Sequence, residues 1–211
     1  GGVELAQTLK RTVRKVTIWL YHDYREYEDF LKELWRDNTQ LESLVIFGNF
    51  KINRAMSSAL SSCASLRSIV IRRATVPTHS KTSVGWWELQ QRFYEMLICG
   101  LPVSLERVSI TWLYCKFHPV TQSFLTFVEK AQGLKSLALN TPFRHCTPPP
   151  HDGDSLIQSL VKYQSQSLQR LCLETLVVSS RVEKMLQSKS TFPNLTTLQL
   201  ASGEDIGKQK K

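Results

Sequence analysis

The side chains most capable of chemistry stand in two short groups, Cys115 with His118, and His145, Cys146, His151 and Asp152. Thiolate and imidazole are ligands that zinc prefers, so the two groups, if folded together, could complete a tetrahedral site. Neither holds a C-x-x-C pair, and the five histidines, at 22, 78, 118, 145 and 151, fall mostly in turns, where a surface position is the ordinary outcome. No glycine-rich phosphate loop, G-x-S-x-G elbow or H-E-x-x-H helix accompanies them. The expectation is therefore no catalytic residue, no cofactor and no resident metal. A second set suits recognition instead: Trp19, Phe47 and Trp112 with Arg72, Arg73 and Arg107, and Val45 and Val70 among them. Tryptophan and arginine combine large buried area with directed hydrogen bonds, which is why they dominate binding hot spots.

The elements that would position this second set follow from a phrase that occurs seven times. An apolar residue is followed at plus three and plus five by two more: Val13/Val16/Ile18, Leu41/Leu44/Ile46, Leu66/Ile69/Ile71, Leu105/Val108/Ile110, Leu134/Leu137/Leu139, Leu168/Leu171/Leu173 and Leu195/Leu198/Leu200. The first members lie 28, 25, 39, 29, 34 and 27 residues apart, a period typical of stacked supersecondary units. Alternation within each phrase predicts a short strand with its plus-three and plus-five side chains on one face. Between phrases the period turns helical: Tyr27/Phe30/Leu31/Leu34, Met56/Ala59/Leu60/Cys63, Trp86/Leu89/Phe93/Met96/Leu97 and Phe124/Phe127/Val128/Ala131, with shorter stripes at Leu156/Leu160/Val161 and Val182/Met185/Leu186. One strand and helix cannot bury its apolar side alone, whereas stacked neighbours form a continuous core under a parallel sheet. A helix is wider than a strand, so the array should curve with its sheet on the concave side.

The phrase resembles that of leucine-rich-repeat proteins, L-x-x-L-x-L-x-x-N/C-x-L, over residues 13 to 203. The match is closest at Leu41 to Asn49, where asparagine holds the ninth position, and at Leu66 to Val76, where Ala74 replaces it. Elsewhere that position is Tyr21, Leu113, Pro142, Leu176 or Gly203, so the family's buried asparagine ladder is mostly missing. Irregular repeats of this length are similar to the ribonuclease-inhibitor-like branch and to the substrate-binding arrays of F-box proteins. Segments such as Cys63-Ala-Ser-Leu66-Arg-Ser and Phe192-Pro-Asn-Leu195-Thr-Thr are in their style. The resemblance implies an α/β fold, a right-handed horseshoe of about seven strand-helix repeats, and a protein-protein interaction module selecting substrates for a ubiquitin ligase. A Skp-type adaptor would be reached only through a region outside this chain. A scaffold or inhibitor built on the same array is the alternative within the class.

Residues 1–203 read as one array and 204–211 as a polar tail, and Val3, Leu5, Ala6 and Leu9 suggest the end of a helix from a preceding repeat. The chain thus reads as a piece of a longer array. A hydrophobic content of 42% with 21% charged residues is a globular balance, and no apolar run approaches the roughly 20 residues that cross a membrane. Five cysteines in unpaired spacing fit a reducing, intracellular compartment. The net charge of +9 favours acidic partners modestly and is no warrant for nucleic acid, which ranks below protein as a partner.

With plus three and plus five inward, plus two, four and six should line the concave face. The plus-six row reads Trp19, Phe47, Arg72, Thr111, Asn140, Glu174, Ala201, and the plus-four row Thr17, Val45, Val70, Ser109, Ala138, Cys172, Gln199. The plus-two row is Lys15, Ser43, Ser68, Arg107, Ser136, Arg170, Thr197. The candidate partner-binding residues are Trp19, Val45, Phe47, Val70, Arg72, Arg73, Arg107 and Trp112. The competing expectation is that a neighbouring repeat, or a preceding part of a longer array, covers Trp19 and Phe47. Insertions at 74–85 and 141–153 leave the C-terminal ends of strands and should rim the same face, as ligand loops or as tolerated surface segments.

Overall fold

The computed structural model describes residues 2–20, 25–48, 52–74, 85–112, 120–140, 152–174, 176, 178–188 and 190–200, without the side chains at 25, 26, 73, 74, 85–90, 112 and 152. Helix and strand alternate strictly along it: α1 (Gly2–Thr12), β1 (Lys15–Leu20), α2 (Arg25–Trp35), β2 (Ser43–Gly48), α3 (Arg54–Ser61), β3 (Ser68–Ala74) and α4 (Gly85–Cys99). The order continues with β4 (Arg107–Trp112), α5 (Gln122–Lys130), β5 (Ser136–Asn140), α6 (Asp152–Gln164), β6 (Arg170–Leu173), α7 (Ser180–Gln187) and β7 (Thr197–Leu200). All seven strands join one parallel sheet in sequence order, and each of the seven phrases supplies one of them. The fold is α/β, built by repetition of one strand-helix unit.

The register follows the phrase. Each plus-three residue pairs with the next plus-three residue, as in Val16, Leu44, Ile69, Val108, Leu137, Leu171 and Leu198, and the other positions run alongside. One carbonyl per repeat sets this alignment at the N-terminal end of the strands. Arg14 O accepts from Glu42 N and Ser43 N at 2.7 and 3.0 Å, and Glu42 O from Arg67 N and Ser68 N at 2.9 and 3.0 Å. The same double bond recurs at Arg67, Glu106, Lys135 and Gln169, so it spans every step of the sheet. A slip of one residue would turn each apolar row to the wrong face, so burial and this ladder enforce the same register.

Plus-three and plus-five side chains form a single core with the inner faces of the helices. Leu44, Ile46, Ile69, Ile71, Leu137 and Leu139 are at most 1% exposed, and Leu31, Leu34, Leu60, Phe124, Val128, Leu156 and Leu160 meet them from the helices. Burying one such side chain stabilises by roughly 1.5–3 kcal/mol. Where their side chains are described the helical stripes hold with adjustments: Tyr27 is exposed, Phe93 is half-buried, and Trp35 and Tyr94 occupy core positions beside the expected residues, while the side chains of Trp86 and Leu89 lie outside the description. In β7, the last strand of the sheet among the described residues, the pattern loosens, with Leu198 37% exposed. Among the described residues three helices begin on side-chain caps, Asn53 accepting from Met56 N, Thr121 from Phe124 N and Ser179 from Val182 N. Glu28 of α2 accepts from the Asn53 amide, tying that cap to the preceding helix.

Buried polar residues close the junctions between repeats. Asn38 Nδ2 donates to Leu34 O, and its Oδ1 accepts from Gln40 N and Leu41 N, closing the passage from α2 to β2. Ser104 donates to Leu66 O, and Gln164 Nε2 donates to both Val128 O and Ala131 O while its Oε1 accepts from Leu134 N. Among the ninth-position residues Leu176 is fully buried, and Asn49 lies outside the described residues. Gly48 ends β2 at φ +102°, where an added Cβ would stand 2.1 Å from Leu20 O; only glycine fits so close to β1. Among the described residues no helix is long and apolar enough to cross a membrane.

Candidate recognition face of the sheet

Parallel in-register pairing places Trp19, Phe47 and Arg72 opposite one another on β1, β2 and β3. Their side chains emerge on the face away from the helices and assemble there. The Trp19 and Phe47 rings stack with centroids 4.0 Å apart and planes 8° from parallel, and the Arg72 guanidinium carbon lies 5.6 Å from the Phe47 centroid. An aromatic pair contributes about 0.5–1.5 kcal/mol beyond area burial, and an exposed cation–π contact about 0.5–1 kcal/mol. The stack is thus preformed, yet Trp19 remains 52% exposed and Phe47 half-buried. Among the described residues no neighbouring repeat covers Trp19.

The row continues through Thr111 and Asn140, whose buried Oδ1 has no hydrogen-bond partner among the described residues. Beside it the plus-four row is low: Val45, Val70, Ser109 and Ala138 are half-buried and short. Cys172, placed by its position on the solvent side, is only 1% exposed. Gln199 and Arg170 close over it, the thiol donating to Gln199 Oε1 at 2.9 Å and Arg170 Nε donating to Sγ at 3.4 Å. On the plus-two row Lys15, Arg107 and Arg170 are exposed between half-buried Ser43, Ser68 and Ser136. The side chains of Arg73 and Trp112 lie outside the description; their backbone carries a register shift in which Ala74, not Arg73, pairs with Trp112. The pairing of β3 with β4 is thus irregular at the end of β3.

A feature the sequence reading passed over borders this face. The plus-one positions alternate in charge through Arg14, Glu42, Arg67, Glu106 and Lys135. Arg14 meets Glu42 at 3.3 Å and Lys135 meets Glu106 at 2.7 Å, while Arg67 donates to Ser104 O at 3.1 Å. The Lys135 hydrogen bond holds the Glu106 carboxyl below its ordinary pKa, with smaller help from the charges of Lys135, Arg67 and Arg107. Reading the phrases one position later would have exposed the pattern. Its effect is to occupy the acids nearest the sheet with local cations, leaving Lys15, Arg72, Arg107 and Arg170 to set the sign of the open face.

Among the described residues no three His, Cys, Asp or Glu side chains converge to hold a metal ion. Cys115, His118, His145, Cys146 and His151 lie outside them, as do residues 75–84 and 141–151 of the two insertions. Cys63 is buried with its thiol donating to Trp35 O at 2.8 Å, and burial pushes its pKa up to about 12, a thiol kept inert. An open cleft of about 480 Å³ between α1 and the end of α2 is lined by Lys10, Arg11, Glu33 and Asp37, charges of both signs. Compared with protein-family models, curated proteins and solved structures, the chain has no significant match in any of the three.

Proposed function

We propose that this chain is a leucine-rich-repeat solenoid whose open sheet face, concave in such an array, binds another protein. One observation carries the reading: the preformed Trp19–Phe47–Arg72 stack, aligned by the register of three strands and left at the surface. A large aromatic surface, already ordered and flanked by arginine, loses little side-chain entropy on binding and is the usual chemistry of an interface anchor. Val45 and Val70 extend the apolar part, Arg107 the polar rim, and Arg73 and Trp112 continue the same strands. The irregular repeats are similar to F-box arrays, and within the proposal the chain selects substrates for a ubiquitin ligase through an adaptor-binding region elsewhere in the protein. That last step rests on resemblance alone.

The test is affinity capture from native extract with the wild type and a Trp19→Ala/Phe47→Ala/Arg72→Ala variant whose circular dichroism and melting temperature match. Proteins captured by the wild type and lost from the folded variant support the face as the recognition surface. An identical capture list from both would move recognition away from it.

A further inference from the structure

We infer that the open sheet face takes an extended acidic segment of a partner protein, laid across the strands with an aromatic residue against Trp19; this deepens, and rests on, the recognition reading above. Four exposed cations, Lys15, Arg72, Arg107 and Arg170, stand on the three rows of the face against one exposed anion, Glu174, among the described residues. Neighbouring acids do not cancel them. Glu42 and Glu106 are engaged on the plus-one row by Arg14 and Lys135, and Glu28, Asp29 and Glu33 belong to α2 on the helical side. The cations also occupy two banks. Plus two and plus six are four residues apart on a strand, about 13 Å, so Arg107 and Arg72 flank the low floor of Val45, Val70, Ser109 and Ala138 from opposite sides.

A carboxylate reaching either bank meets a planar guanidinium, the geometry that favours two parallel hydrogen bonds. Strands spaced about 4.8 Å apart give the seven-stranded face a span of about 29 Å, which an extended segment of about nine residues crosses at about 3.3 Å per residue. The aromatic stack marks the β1 end of that path and Glu174, just past β6, repels acid towards the other, so the acidic positions fall in the middle. Nucleic acid fits less well. Trp19 and Phe47 close on each other at 4.0 Å with no slot for a base, and Ser43, Ser68 and Ser136 interrupt the plus-two cations where a phosphate backbone needs a continuous line.

The experiment sorts a displayed library of random peptides, each about nine residues long, on the intact chain. The expected winners carry several Asp or Glu residues around one aromatic. Binding of such a peptide should weaken about tenfold in a folded Arg72→Gln/Arg107→Gln variant and fall with added salt. Arg72→Glu/Arg107→Glu should turn selection towards basic peptides; should that variant not fold, the glutamine pair still decides the matter. Neutral or basic winners that are lost with Trp19→Ala would overturn the acidic assignment while leaving the recognition face in place. Winners indifferent to Trp19→Ala and to both arginine variants, or no enrichment at all, would overturn both. Single-stranded DNA that displaces the acidic peptide at lower concentration would assign the face to nucleic acid instead.

Discussion

Replacing Gln164 by leucine should damage the chain far more than its size suggests. The amide ends α6, is 2% exposed, and reaches back one repeat to the end of α5. It donates to Val128 O at 2.7 Å and Ala131 O at 2.9 Å, carbonyls beyond the reach of α5's own hydrogen bonding, and accepts from Leu134 N at 3.0 Å. Gln164→Leu keeps the volume but leaves two carbonyls and one N–H buried without partners. At about 1–3 kcal/mol each, the loss comes to about 3 kcal/mol or more. Gln164→Ala opens space that a water could enter to meet the same groups, so it should cost no more than leucine despite the smaller side chain. Guanidinium unfolding followed by far-ultraviolet circular dichroism gives the stabilities, and amide exchange at Leu134 gives the local effect, fast in both variants and slow in the wild type. A leucine variant within about 1 kcal/mol of wild type, with Leu134 still protected, would refute the view that this residue holds two repeats together through its hydrogen bonds.

Other substitutions probe other parts of the account. Gly48→Ala puts a Cβ 2.1 Å from Leu20 O at φ +102°, so it should cost about 3 kcal/mol or more by strain and by separation of β1 from β2; an unchanged melting temperature would contradict this. Among the described cysteines, alkylation at neutral pH followed by mass spectrometry should label exposed Cys99 at once and spare Cys63, whose thiol has been pushed up to about 12; equal rates would contradict its burial. The Glu106–Lys135 pair is surface-exposed and should contribute about 0.2–1 kcal/mol. Because folding lowers the Glu106 pKa, that contribution is fully present above the unfolded carboxylate value of about 4.3 and vanishes as pH falls through the folded one. The stability gap between wild type and Glu106→Gln should therefore close in acid, and a gap that widens there would reverse the sign of the linkage.

The strands were legible because one phrase, Leu44/Ile46 or Leu137/Leu139, states both period and face, and repetition fixes the register as well. Trp19 and Phe47 could be placed on one row from spacing, since a parallel register carries plus six to plus six. Their stacking could not, nor could the way Gln199 and Arg170 close over Cys172, because both depend on neighbours that only the assembled sheet brings close. Gln164 also escaped notice: nothing in a helix C-terminal glutamine announces that it closes the previous helix. The charge alternation from Arg14 to Lys135 was present in the sequence at a position the apolar pattern gave no reason to inspect.

The central claim is that the sheet face, and not the helical side, meets the partner. A photo-crosslinking amino acid placed at Thr17, exposed on the face, and separately at Arg92, exposed on α4, tests this in native extract. Adducts should form from position 17, shift the partner's mobility, and disappear when Trp19→Ala is added. Adducts formed only from position 92 would place recognition on the helices and contradict the account.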